Sequence, residues 1–107
     1  MKESTLQKSV IDDIKSRLPG AIVLKNDANY IQGYPDLAVH YKGMVALLET
    51  KRHENSSKRP NQEFYISNAN ECGGFARFIN TENKDVVLDE LERTFKTQRI
   101  TRFSKPE

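Results

Sequence analysis

Apolar residues recur at helical spacing from residue 4 to residue 18, with Leu6, Val10, Ile11, Ile14 and Leu18 on one side. Pro19-Gly20 ends that pattern. Ala21-Ile22-Val23-Leu24 is a short apolar run suited to a strand, and residues 26 to 34 are polar and turn-rich, a loop. Residues 36 to 41 and 44 to 51 read as two strands joined at Lys42-Gly43. The charged, serine-containing stretch from His53 to Arg59 is expected to be the most mobile connection. Pro60 suits the first turn of a helix that runs to about Cys72, where Gly73-Gly74 closes it. Phe75 to Ile79 is a fourth strand. A last helix is expected from about Asp85 to Lys96, with Val87, Leu88, Leu91 and Phe95 on one side. Its acids come early and its bases late, as the helix dipole favours. The order α-β-β-β-α-β-α predicts an α/β protein, a sheet with helices packed on it.

Composition narrows the class. At 107 residues and 36% hydrophobic, the chain can fill one core, so residues 1–107 are expected to form a single domain. With 30% charged residues, five Gly and four Pro, it is neither disordered nor fibrous. The longest apolar run, Met44 to Leu48, is far short of the ~20 residues of a membrane span. The charged start at Met1-Lys2-Glu3 lacks the apolar centre of a secretion signal. A cytoplasmic location is therefore expected, and the sequon Asn55-Ser56-Ser57 is discounted. The single cysteine, Cys72, excludes an internal disulfide or a cysteine-rich zinc site and reads as a small buried hydrophobe. His40 and His53 have no further spacing signal and read as structural or solvated.

A net charge of +2 names no partner by itself. The bases are clustered, however: Lys51, Arg52, Lys58 and Arg59 face only Glu54, and Arg93, Lys96, Arg99, Arg102 and Lys105 crowd the end of the chain. Such clusters either track phosphates or form a solvated surface.

The chemistry concentrates between Gly33 and Lys51. If Lys42-Gly43 is a two-residue hairpin turn, Tyr41 pairs with Met44 and Asp36 lies directly across from Glu49. Opposed side chains on neighbouring strands have Cβ atoms ~4.5–5.5 Å apart. By alternation Lys51 emerges on the face of Glu49, one diagonal step from Asp36. A three-residue loop with a bulge at Gly43 would instead pair Asp36 with Leu48. Glu49 follows four apolar residues, as in a strand covered on both faces, where ionised groups are costly without a partner. The triplet is either a surface charge network or a site. Hard divalent cations such as Mg²⁺ take one or two carboxylates plus phosphate and water oxygens, and a neighbouring lysine can orient a water and offset charge on phosphorus. On the helices, Glu3 and Gln7 fall inside the arc of Val10, Ile14 and Leu18, and Gln62 inside that of Tyr65, Ile66, Ala69 and Cys72. These polar residues either fray to solvent or cap their helices, or point toward the carboxylates from the helix side of the sheet. Tyr30 and Tyr34 either join the core in part or stack on unpaired bases.

Gly33-Tyr34-Pro35-Asp36, then Glu49-Thr50-Lys51 on the next strand, then Gln62 opening a helix, resembles the PD-(D/E)xK nuclease superfamily. With Glu3 and Gln7 on the first helix, residues 3–79 look most like the virus-type replication-repair nuclease (VRR-NUC) domain. The resemblance implies a restriction-endonuclease-like mixed sheet. It implies Mg²⁺ or Mn²⁺ held by Asp36, Glu49 and the Thr50 carbonyl with support from Glu3, Lys51 assisting the attacking water, and Gln62 positioning substrate or water. Thr50 stands where the family often carries an apolar residue. Gln7, Asn26, Tyr34, Arg52, Lys58 and Arg59 are the expected DNA contacts. Standalone phage-type members resemble Holliday junction resolvases acting as homodimers on branched DNA, in bacteria or infected host cells. Residues after Ile79 match nothing in the family pattern. The expected function is thus a metal-dependent, structure-selective DNA endonuclease. A DNA-binding module with a vestigial nuclease site is the alternative, and a small interaction protein decorated with charge pairs a further one.

Overall fold

The computed structural model describes residues 2–26 and 31–102. Tyr30 and Lys105 lie outside them, and the side chains of Arg99 and Arg102 are likewise outside the description. Three helices and four strands follow in the expected order: α1 (Glu3–Arg17), β1 (Ile22–Lys25), β2 (Leu37–Tyr41), β3 (Met44–Thr50), α2 (Pro60–Glu71), β4 (Phe75–Ile79) and α3 (Lys84–Arg102). Helix α3 runs six residues past the expected end at Lys96. It starts at Lys84, where Asn80 and Asn83 exchange side-chain-to-backbone hydrogen bonds of 2.7 Å each and settle the chain into its first turn.

The four strands form one mixed sheet in the order β1-β2-β3-β4. The first three are antiparallel, and β4 runs parallel to β3 through the α2 crossover. Lys42 and Gly43 both take positive φ, 50° and 84°, which is the two-residue turn whose twist suits a hairpin. Tyr41 therefore pairs with Met44 and Leu37 with Leu48. The bulged alternative is excluded, and the next position beyond Leu37–Leu48 sets Asp36 against Glu49.

Alternation along the strands separates two faces. Leu37, Val39 and Tyr41 of β2, Met44, Ala46 and Leu48 of β3, and Phe75 and Ile79 of β4 pack with Leu6, Val10, Ile14 and Leu18 and with Val87, Leu88, Leu91 and Phe95. This is the core, roofed by α1 and α3. The two helices are tied by Lys84 to Asp13 (2.6 Å) and by Arg17 to Asp89 and Glu92. Helix α2 covers the opposite face over β3 and β4, with Ile66 buried. Helices on both faces correct the picture of Glu3, Gln7 and Gln62 approaching from one helix side. Cys72 is exposed rather than buried. It sits one residue past the end of α2, as the cap before Gly73, so the helical arc that would have buried it has stopped.

Candidate active site

Two strand ends make the site. Asp36 stands immediately before β2, and Glu49 and Thr50 are the last two residues of β3. The Asp36 backbone N–H donates to Glu49 Oε1 at 3.1 Å, and the Thr50 N–H donates back to Asp36 Oδ1 at 3.2 Å. Each acid is thus pinned by the other strand's backbone. From the core face, the wholly buried Thr50 hydroxyl donates to Asp36 Oδ2 at 2.6 Å and Gln7 Nε2 of α1 donates to the same oxygen at 3.2 Å. From the opposite face, Gln62 Nε2 of α2 donates to Glu49 Oε2 at 3.0 Å. Gln62 Oε1 accepts from Lys51 Nζ at 2.8 Å and from the Arg59 N–H at 3.0 Å. With two donors converging on one end of the carboxamide and a carboxylate at the other, only this orientation of the amide is favourable.

The hydrogen bonding is complete while the charge is not. No buried side-chain nitrogen or oxygen among the described residues lacks a partner. Yet no described Lys, Arg or His nitrogen comes within 4.0 Å of the Asp36 or Glu49 carboxylate. Lys51 stops one carboxamide short. Burial and the Asp36 charge together push the Glu49 pKa from 4.5 up to about 7, against the pull of Lys51 and the Asp36 N–H. Burial also raises the Asp36 pKa, opposed by both Thr50 hydrogen bonds and by Gln7. Glu3, exposed in the first turn of α1, adds negative charge felt by both.

A buried carboxylate, Glu49, and a half-buried one, Asp36, without a counterion fit a hard divalent cation. An ionised carboxylate offers about four lone-pair positions. Protein donors take three on Asp36 and two on Glu49, so oxygen lone pairs remain. No trio of His, Cys, Asp and Glu among the described residues is grouped to hold a metal. Asp36 and Glu49 could hold a hard cation only as two ligands among water and phosphate oxygens.

The other expected contacts are placed as follows. Asn26 donates through Nδ2 to the Pro35 carbonyl at 2.7 Å, and its N–H donates to the Asp36 carbonyl at 2.9 Å, clasping the start of β2. The Tyr34 ring meets Tyr65 of α2 edge to face, with centroids 5.2 Å apart. Arg52 and Arg59 are exposed on either side of the connection between β3 and α2. Lys58 bonds the Glu54 carbonyl and lies over the Phe78 ring. That connection is tied down, since Glu82 bonds both His53 Nδ1 and the Glu54 N–H. Sequence reasoning missed the Thr50 hydroxyl, treating the residue only through its carbonyl. It also missed Asn61, which holds the Gln32 carbonyl at 3.1 Å and lies against Gly33. The one available signal for Asn61 was its place beside Gln62 in the first turn of α2.

A solved structure described as a VRR_NUC domain superposes on this chain with a TM-score of 0.69, at 23% identity, covering 81% of this chain and 94% of the other. A second, described as a VRR_NUC domain protein, gives a TM-score of 0.66 at 18% identity, covering 90% of this chain and 89% of its own. The chain has the VRR_NUC fold. No protein-family model matches the sequence, and no curated protein matches it significantly. The paired acids, Lys51 and Gln62 lie together at one end of the sheet. No helix among the described residues is long and apolar enough to cross a membrane.

Proposed function

We propose that this protein is a divalent-metal-dependent DNA endonuclease acting on branched substrates. The observation that carries the reading is the uncompensated carboxylate pair, every oxygen held by a donor and lone pairs still open, with Lys51 beside it, on a VRR_NUC fold. Asp36 and Glu49, with the Thr50 carbonyl, would hold Mg²⁺ or Mn²⁺. When bound, the cation supplies Lewis acidity toward a phosphate oxygen and lowers the pKa of water. The chain's own residues do the rest. Thr50 and Gln7 keep the Asp36 carboxylate turned to one orientation. Gln62 holds Glu49 and keeps the Lys51 ammonium within reach of the space beside it, where that amine orients the attacking water and offsets charge growing on phosphorus. Glu3 adds negative charge at the mouth. Arg52, Lys58 and Arg59 line the approach to α2 and would take flanking phosphates.

A four-way junction needs two symmetric nicks, which two copies related by a two-fold axis provide. Two exposed apolar side chains support such pairing: Ile22 and Val45, 59% and 45% exposed, flank His40 across β1, β2 and β3 on the sheet face beside α2.

The test is cleavage of labelled four-way junction, flap and linear duplex with Mg²⁺, Mn²⁺ or EDTA. Metal-dependent nicking of the branched substrates is expected, abolished in Asp36→Asn and Lys51→Ala while both still fold and bind DNA. Tight binding without nicking would leave a DNA-binding module in its place, and full activity of either variant would overturn the mechanism.

A further inference from the structure

A second feature lies on α2, away from the carboxylates. Phe64 is 59% exposed, a large apolar ring standing on the solvent side of the helix. Its ring meets Tyr65 edge to face with centroids 5.3 Å apart, and Tyr65 meets Tyr34 in the same manner at 5.2 Å. Tyr34 is two residues from Asp36. The three rings therefore form a continuous ridge from the loop that carries the first acid to the outer surface of α2.

The ridge is held rigidly. Asn61 bonds the Gln32 carbonyl, and Gly33 takes φ +86° with no room for a Cβ against the Asn61 carboxamide. The loop is bolted to the helix on the side where Tyr65 sits. At 100° per residue, Gln62, Tyr65, Asn61 and Phe64 step round α2 in one direction from the site toward solvent, and Glu63 projects from the other flank. The acid therefore does not stand between the ridge and an approaching strand. Arg59, at the start of the same helix, supplies positive charge for that strand's phosphates.

We propose that Phe64 and Tyr65 form a nucleobase-stacking subsite that takes an unpaired base of the strand whose phosphate lies at Asp36 and Glu49. The inference rests on the nuclease reading and names the substrate feature that reading leaves open. Inside a duplex both faces of a base are covered by its neighbours, so a protruding ring finds no partner there. At a branch point a base loses one stacking neighbour and its π-face becomes available. Aromatic stacking accepts any base, so the subsite selects DNA shape and not sequence.

The experiment uses the full chain carrying Asp36→Asn, which keeps substrate uncut, and forked and fully paired oligonucleotides with 2-aminopurine placed at successive positions. The fluorescence should change at one unpaired position beside the branch and at none in the duplex. Adding Phe64→Ala should remove that signal and weaken binding to the fork about tenfold, with duplex binding changed less than about twofold. Phe64→Trp should keep both signal and affinity. Identical fluorescence and fork affinity with and without Phe64 overturn the proposal. So does a shift in sedimentation with unchanged fluorescence, which makes Phe64 a contact between copies. Wild-type cleavage in Mg²⁺, run in parallel, separates the two readings. Cleavage without a Phe64-dependent signal removes the stacking subsite alone, and a Phe64-dependent signal without cleavage removes the nuclease while the subsite stands.

Discussion

Without metal, the protein should be more stable in mild acid than in mild alkali, and Glu49 should set most of the difference. Its pKa lies at about 7 in the folded chain against 4.5 when solvated, because burial and Asp36 disfavour its charge. Between those values the unfolded chain ionises while the folded chain keeps its proton, so stability falls as pH rises, and above about 7 the loss is complete. From about pH 5.5 to about pH 8 that part of the curve amounts to ~2 kcal/mol at 1.36 kcal/mol per pH unit, or about 1–2 kcal/mol once solvent at the strand end screens it. In a domain of this size the melting temperature should fall by roughly 5–15 °C. Asp36, also raised, acts in the same sense from its own lower starting value. Glu82, Glu90 and Glu92 are lowered by His53, Arg77 and Lys96, so they are ionised in both states across most of this window. Glu49→Gln removes the titrating group and keeps an acceptor for the Asp36 N–H. Thermal or urea unfolding in EDTA at the two pH values should show a clearly flatter response for the variant, with the variant the more stable of the two at the higher pH. Saturating Mg²⁺ should restore wild-type stability there and do little for the variant. Parallel losses in both proteins, or a variant less stable than wild type at the higher pH without metal, would refute the reasoning.

Thr50→Val keeps the buried volume and deletes the 2.6 Å bond to Asp36. It should cost about 1–2 kcal/mol in urea unfolding and slow cleavage about tenfold, with KM for DNA nearly unchanged in steady-state kinetics. Gly33→Ala forces a left-handed residue and a clash with Asn61, so the melting temperature should drop by the equivalent of about 1–3 kcal/mol and cleavage should weaken with it. Replacing Arg52, Lys58 and Arg59 together by Ala should weaken DNA binding and make its dependence on salt shallower, read by titration across KCl concentrations.

Much of the site was legible because its critical step is local. Lys42-Gly43 is a two-residue turn between two apolar strand runs, and the period of two along each strand then sets Asp36 against Glu49 and puts Lys51 on the same side as Glu49. The place of Gln62 at the opening of a helix behind Pro60 is equally local. The same holds for the apolar faces of α1 and α3, which follow from helical spacing alone.

Tertiary packing decided what depends on elements far apart in the chain. Gln7 is 29 residues from Asp36, and whether it frays or reaches the carboxylate turns on where α1 lies over the sheet. That Gln7 and Gln62 close on the acids from opposite faces could not be read from two helical arcs, since an arc says which side is buried but not which face it meets. The Thr50 hydroxyl, Cys72 at the helix end and the Tyr34–Tyr65–Phe64 ridge have the same origin. Periodicity determines which residues share a side of one element, while only the packing of elements determines which sides meet, and the missing positive charge between Asp36 and Glu49 exists only once they do.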